Sequence, residues 1–175
     1  MRATYSGLPY PTSAEIERLF KSGVPADAMA EPWPIKSAQV RFFNGGSFDF
    51  DREGRAAIIF LAEDCGEVID LIAWQQKSGA VASWRGAAFC LGDTEHIFNP
   101  ATYFADYALR IHRTPLDWLK ASREGICIVR SALAYSYLRM APRVSSADEV
   151  YLQQVKRWVQ APKPTVKFLV EEFAA

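Results

Sequence analysis

AAIIFLAEDCGEVIDLIAW, residues 56–74, is the stretch of sequence that decides the fold. Its first part, Ala56 to Ala62, is the longest apolar run of the chain and predicts a buried strand. From Gly66 to Lys77 we expect a helix packed on the preceding strands, since apolar residues would cover more than half of its circumference. The stretch therefore predicts a strand-to-helix junction at the centre of the protein.

Acidic side chains cluster at this junction: Glu63, Asp64, Glu67 and Asp70. Carboxylates at such a place are candidate catalytic groups, because they can bind Mg²⁺ or transfer protons. The simpler interpretation is that they cap the start of the helix and carry surface charge. We favour the simpler interpretation and keep the four acids as candidates.

The residues before this stretch predict a helix, a loop and further strands. Thr12 and Glu15 form a capping-box pattern at the start of a helix over 12–22. Two prolines make residues 31–35 a loop, whose Trp33 we expect to lie on the core as a lid. The strand signals at 40–43, 48–50 and 56–62 predict an antiparallel meander of three strands.

The C-terminal half alternates between strand and helix signals. Strands are predicted at 107–112, 125–129, 142–144 and 165–170, with helices from Thr114, over 131–140 and from Ser146 between them. This β-α-β-α-β order predicts parallel or mixed pairing with helical crossovers. The expected fold class is α+β: a helical N-terminal segment with a proline-rich linker (1–36), an α+β subdomain with the meander and its packed helix (37–105), and an α/β subdomain (106–175).

Charge is balanced overall and unbalanced locally. The 175 residues contain 20 basic and 20 acidic side chains, and zero net charge argues against a protein built mainly to bind nucleic acid. Residues 44–70, however, hold seven acids against two arginines, and residues 107–143 hold seven basic residues against two acids. The two blocks could attract each other within the fold, although the simpler interpretation is that both are solvated surface.

Four arginines of the basic block are candidate phosphate or nucleic-acid ligands: Arg110, Arg113, Arg123 and Arg130. Arginine binds phosphate through two parallel hydrogen bonds, and the nearby Tyr135 and Tyr137 could stack on bases. The alternative, which we favour, is that the arginines face solvent and that Tyr135 and Leu138 belong to the core.

Signatures of a metal site, a cofactor or a covalent mechanism are missing. Cys65, Cys90 and Cys127 form no CxxC pair, and the sequence has no nucleophile elbow and no phosphate-binding glycine loop. We expect neither metal nor cofactor, and an inert Cys127 inside a buried strand. Without a secretory signal or an apolar stretch of membrane-spanning length, the expected location is the cytoplasm, away from membranes.

Several segments resemble a family of uncharacterised alphaproteobacterial proteins that often occur in prophage-like regions: residues 66–74, 84–92, 112–120 and 125–129. The resemblance spans about residues 50–170 and implies a phage or mobile-element context, without an activity. The segment 66–71 also resembles the end of the zinc ribbon in bacterial primases. The CxxC ligand pairs and the metal-binding acids of a primase are absent, so this resemblance implies a remnant without zinc or phosphoryl transfer.

The sequence leads to one main hypothesis and two alternatives. The main hypothesis is a non-catalytic binding or accessory protein of prophage or mobile-element origin, with a protein partner of unidentified kind. The alternatives are a nucleic-acid-associated module that uses the four arginines and a small enzyme that uses the four acids. The aromatic content of 13% leaves a homodimer open.

Overall fold

The computed structural model describes residues 1–160 of the chain, and within them helices and strands alternate in an α+β fold, which confirms the predicted class. The α-helices are α1 Arg2–Ser6, α2 Ser13–Lys21, α3 Asp27–Ala30, α4 Glu95–Phe98, α5 Pro115–Lys120, α6 Ala134–Leu138 and α7 Glu149–Gln160. The strands are β1 Lys36–Phe43, β2 Ser47–Phe50, β3 Arg55–Asp64, β4 Glu67–Trp74, β5 Val81–Ser83, β6 Cys90–Leu91, β7 Leu109–His112, β8 Ile126–Ile128 and β9 Val144–Ser145. Short 3₁₀ helices occupy Pro100–Asp106 and Ser131–Leu133.

The first five strands close into a barrel in the order β1-β2-β5-β4-β3. All neighbours are antiparallel except β2 and β5, which meet through the single pair Ser47 and Ser83. The predicted antiparallel pairing of the first three strands is present, but β3 pairs with β1 and not with β2. A closed sheet leaves no long exposed strand edge, and its interior is filled by side chains from every strand.

The predicted helix over 66–77 is wrong, because this segment is strand β4. Cys65 and Gly66 have positive φ angles of 50° and 82°, and they form the two-residue turn of a hairpin in which Asp64 pairs with Glu67. Both faces of β4 are covered: Leu71 belongs to the cluster inside the barrel and Ile72 to the cluster outside it. A strand buried on both faces has a continuous apolar sequence, which is also the pattern of a buried helix.

The C-terminal strands form a second sheet in the order β6-β8-β7-β9. β7 pairs in parallel with both β8 and β9, as the strand-helix alternation predicts, and β6 adds an antiparallel edge. α5 connects β7 to β8, and α6 lies on the path from β8 to β9. The predicted strand at 165–170 lies outside the described residues.

Local start signals placed several helices correctly. Thr12 and Glu15 form the predicted capping box of α2, and the Thr114 side chain accepts from Asp117 N at the start of α5. The capping box predicted for Ser146 and Glu149 is shifted, since Asp148 accepts from Tyr151 N at 2.9 Å at the start of α7. None of the helices formed by residues 1–160 combines the length and hydropathy that crossing a bilayer requires.

One apolar cluster joins the barrel to the second sheet. It contains Leu19 of α2, Phe60 on the outside of the barrel, Trp118 of α5 and Cys127 of β8. β6, from the predicted middle subdomain, pairs with β8, from the predicted C-terminal subdomain. Packing and hydrogen bonds therefore cross the boundaries drawn at residues 36 and 105.

Candidate functional site

The four candidate acids do not share a site. Since the strand-to-helix junction is in fact a hairpin, they are distributed over two antiparallel strands. Glu67 is exposed, Glu63 accepts from the indole of Trp33, and Asp64 and Asp70 bind other parts of the chain. Within residues 1–160, no three His, Cys, Asp or Glu side chains are grouped so that they could hold a metal ion.

Asp70 is a buried structural carboxylate with 0% exposure. Its Oδ1 accepts from the backbone N–H groups of Leu71 and Arg85, at 2.8 and 2.9 Å. Its Oδ2 accepts from the hydroxyl of Ser83 and from Ala87 N and Ala88 N, at 2.8–3.2 Å. These bonds fix the chain that leaves β5 for the second sheet, and both oxygens face protein donors only.

Asp64 holds the barrel against the second sheet. It accepts from the hydroxyl groups of Thr94 and, at 3.2 Å, Tyr137. Burial and the Asp64 charge raise the pKa of Tyr137 to about 12, so its hydroxyl stays protonated and donates at neutral pH. The Tyr137 ring stacks on Phe89 with centroids 4.5 Å apart, so the partly buried ring packs against the core of the second sheet.

The four candidate arginines contact different parts of the chain and do not share a site. Arg110 pairs with Glu124 at 2.8 Å, and Arg113 pairs with Asp148 at 2.9 Å. Arg130 lies against the turn at Gly86, where a Cβ atom would come within 3.1 Å of its Nη1. Within residues 1–160, none of the ion pairs joins the acidic block 44–70 to the basic block 107–143.

The thiols differ sharply in their surroundings. Cys90 and Cys127 are buried on adjacent strands, and burial raises the pKa of both, so neither supplies a thiolate at neutral pH. Cys65 is exposed at the β3–β4 turn. Burial lowers the pKa of His112, whose Nε2 lies 2.9 Å from the carbonyl oxygen of Glu124.

Arg123, the fourth arginine, lines a cavity between the barrel and the second sheet, and we name this cavity the Arg123 pocket. Its volume is about 120 Å³. Its walls include the aromatic side chains of Tyr5, Trp33, Phe60 and Trp118 and the polar side chains of Glu63, Asp93, His96 and Arg123. Mostly apolar walls with a few converging polar groups are typical of small-molecule sites.

The guanidinium of Arg123 is held firmly on one side and free on the other. Nε donates to the carbonyl of Ala28 at 2.6 Å, Nη1 donates to the carbonyl of Trp33 at 3.0 Å, and the group lies over the Trp118 ring. Nη2 is buried and has no hydrogen-bond partner within residues 1–160. Burial lowers the pKa of Arg123 to about 10, so the side chain is still charged at neutral pH.

A strained turn brings Arg123 to this position. Ser122 and Arg123 follow α5 with φ angles of 49° and 64°, and neither is glycine. A non-glycine residue in the left-handed region costs about 1–3 kcal/mol and persists where the surrounding structure imposes it. Trp118 Nε1 donates to the carbonyl of Gly125 at 3.1 Å and ties the end of this turn to α5.

Two acidic side chains, Glu63 and Asp93, also line the pocket. The register of the β3–β4 pairing shifts at Glu63, because Ala62 pairs with Asp70 and Glu63 with Val68, which leaves Ile69 as the extra residue of a bulge in β4 opposite Glu63. Glu63 Oε1 accepts from Trp33 Nε1 at 3.1 Å, which fixes the predicted lid residue as a pocket wall. Asp93 accepts from Gly66 N and Glu95 N, so both of its oxygens have backbone donors.

Sequence reasoning selected Arg123 and Glu63 but placed them in different hypothetical sites. The aromatic walls come from segments far apart in the sequence, and no spacing pattern connects Tyr5 with Trp118. The one sequence feature that indicated the pocket was Trp33 between two prolines, because a large aromatic side chain in a rigid loop is expected to pack against other parts of the protein.

Comparison with known proteins gives no further assignment. No family model, no curated protein and no solved structure matches this chain.

Proposed function

We propose that this protein is a non-catalytic binding protein whose ligand is a small carboxylic acid, held in the Arg123 pocket. The observation that carries the proposal is the buried, unpartnered Nη2 of Arg123, a residue that lines a cavity with aromatic walls. A buried donor without a partner costs about 1–3 kcal/mol, and more when it is charged. A bound carboxylate would remove that cost.

The size and polarity of the pocket define the ligand further. Its volume of about 120 Å³ limits the ligand to a small molecule, such as glycolate or glycine. The ligand's carboxylate would accept from Arg123, and its hydroxyl or amino group would face Glu63. Phe60 and Trp118 would cover the apolar side.

The alternatives lose their geometric basis. The small enzyme required four acids at one junction, whereas Asp70 is enclosed by backbone donors and Asp64 is bound by two hydroxyl groups. The nucleic-acid module required an exposed row of arginines, whereas Arg123 is bound to carbonyl groups inside the fold. The prophage origin, the protein partner, the homodimer and the cytoplasmic location stay predictions.

Titration of the ¹⁵N-labelled protein with glycolate, glycine and glycerol tests the proposal. The indole N–H signals of Trp33 and Trp118 should shift in a saturable manner with glycolate or glycine, while those of Trp84 and Trp158 stay in place. Glycerol, which has no carboxylate, should cause no saturable shift.

Three variants locate the binding. Arg123→Lys keeps the charge but loses the fork of donors, so binding should fall by about tenfold or more. His96→Trp fills the mouth of the pocket from an exposed position and should block binding without disturbing the core. Arg110→Gln is the matched control and should bind normally. Saturable binding that survives both Arg123→Lys and His96→Trp, or no shift of Trp33 and Trp118 with any small acid, would show the proposal to be wrong.

A further inference from the structure

A second cavity, independent of the Arg123 pocket, opens between α2 and the end of the β3–β4 pairing. Its volume is about 500 Å³, and it shares no lining residue with the Arg123 pocket. We name it the basic groove and define it by Glu15, Arg18, Arg55, Ala56, Gln76 and Lys77. It is open to solvent, so a ligand can enter without a conformational change.

One wall of the basic groove is an unpaired strand edge. β4 pairs with β3 only as far as Trp74 and Ile58, while β3 extends three residues further toward its N-terminal end. The carbonyl of Gln39 on β1 accepts from Asp51 N at 3.0 Å, so the polar backbone groups of Gln39 face β2. Its β3 partner Ala56 must therefore point its N–H and C=O away from β1, toward the groove.

The charge around the groove is positive. Arg18, Arg55 and Lys77 are exposed, and none of the ion pairs within residues 1–160 involves them. The carboxylate of Glu15 also lines the groove, but it is buried and accepts from Thr12 and Ser37. Three cations against one internally bonded carboxylate favour an anionic ligand.

The groove also contains a donor without a partner. Nε2 of Gln76 is buried and makes no hydrogen bond within residues 1–160. The neighbouring Gln75 also lines the groove, and its Oε1 accepts from the Ser78 hydroxyl at 2.6 Å. The lining of the groove thus includes five residues with donor groups, namely Gln76, Ala56 and the three cationic residues.

A further cavity, which we call the extension, adjoins the groove; its lining includes Lys21 and Ser22 as well as apolar side chains. The extension has a volume of about 330 Å³, shares Arg18, Gln76 and Lys77 with the groove and continues to Trp74 and Leu116. A ligand with an anionic head between the cations can therefore place an apolar or aromatic body against the Trp74 ring.

We propose that the basic groove binds the phosphate group of a small phosphate monoester, whose apolar or aromatic ester group lies in the extension. A phosphate dianion offers three strong acceptor oxygens, which suits several cations and two neutral donors better than the two oxygens of a carboxylate. This site is separate from the proposed small-acid site, and either can exist without the other.

The test uses phenyl phosphate and inorganic phosphate as probes, measured by calorimetry and by ¹⁵N NMR at fixed ionic strength. Phenyl phosphate should bind more tightly than inorganic phosphate because only it reaches Trp74. The side-chain amide of Gln76 and the indole of Trp74 should shift, while the indoles of Trp33 and Trp118 should not.

Matched variants separate a site from general charge attraction. Arg55→Gln removes one cation, and Gln76→Glu replaces the unpartnered donor by an acid of the same shape, so each should weaken phenyl phosphate by about tenfold or more. Arg52→Gln makes the same charge change three residues from Arg55, outside the groove, and should alter the dissociation constant by less than about twofold. Circular dichroism of each variant verifies folding, and Gln76→Glu remains informative if Arg55→Gln unfolds.

Several outcomes would overturn the proposal. One is an equal loss of binding in Arg52→Gln and Arg55→Gln, which would indicate unspecific attraction. Another is the absence of saturable binding of phenyl phosphate by the wild type at millimolar concentration. A third is competition by oligothymidylate at concentrations far below those of phenyl phosphate, which would assign the groove to nucleic acid.

Discussion

Replacing Asp70 by Asn provides a sharp test of the role that the structure gives to this carboxylate. The substitution keeps the size and shape of the side chain and replaces one acceptor oxygen by an NH₂ donor. Four backbone N–H groups bind the two oxygens, with Leu71 N and Arg85 N on Oδ1, and Ala87 N and Ala88 N on Oδ2. In either orientation, the new NH₂ group faces two of these N–H groups.

The expected loss of stability follows from that count. Each buried donor that loses its acceptor costs about 1–3 kcal/mol, so two of them cost about 2–6 kcal/mol. The whole free energy of unfolding of a domain is about 5–15 kcal/mol, which makes the loss a large share of it. The Ser83 hydroxyl can rotate to accept from the new NH₂ group, and therefore adds little to the loss.

Urea unfolding followed by tryptophan fluorescence measures the effect. Glu67→Gln is the matched control: Glu67 lies on the same strand but is exposed, so its change should stay within about 0.5 kcal/mol. A loss below about 1 kcal/mol for Asp70→Asn would refute the reasoning, because it would mean that the buried donors find other partners.

Three further predictions follow from the described residues. Brief treatment of the folded protein with iodoacetamide at pH 8 should modify Cys65 alone, because the other two thiols are buried and have raised pKa values. Mass spectrometry measures the number and position of the adducts, and labelling of all three thiols without denaturant would contradict the prediction. Because the pKa of Tyr137 is raised in the folded state, the unfolded chain loses the hydroxyl proton at a lower pH than the folded protein does. The free energy of unfolding should therefore fall as the pH rises from about 10 to about 12. Thermal unfolding of Tyr137→Phe, which also loses the bond to Asp64, should show a smaller fall over that range, and an unchanged fall would count against the assignment. Gly125→Ala should lower the free energy of unfolding in urea far more than Gly79→Ala. Both glycines have positive φ, but of the two only Gly125 would bring its new Cβ onto a backbone atom, the carbonyl oxygen of Arg110. Similar losses would show that the chain shifts to accommodate the methyl group.

Local signals made part of the fold predictable. The capping box of Thr12 and Glu15 and the Thr114–Pro115 start of α5 act through hydrogen bonds that span three residues, so the sequence around each position contains the whole interaction. The short apolar strand β8 was recognisable for the same reason, because its length and its bounding residues are local properties.

The error at residues 66–77 had a specific cause. The segment contains four apolar residues close together: Val68, Ile69, Leu71 and Ile72. A run this short does not distinguish a buried helix from a strand that is covered on both faces. The deciding feature was the turn at Cys65 and Gly66, where the positive φ of a cysteine has no reliable sequence signal.

The candidate site was harder to predict than the fold. Glu63 and Arg123 were both selected as charged residues, but the 59 residues between them gave no indication that they line one cavity. Asp70 looked like a member of an acidic cluster, although its partners at positions 83–88 make it a structural group.

The sequence by itself determined the α+β class, the helix starts, the burial of Cys127 and the crossover order of the C-terminal half. These depend on composition, periodicity and contacts between near neighbours. Only the tertiary structure decided that residues 56–74 are a hairpin of a closed barrel, and that Arg123 lines one cavity with aromatic rings from distant segments. The physical reason is that a long-range contact depends on which faces of two elements are buried together, and the same apolar pattern is compatible with several such arrangements.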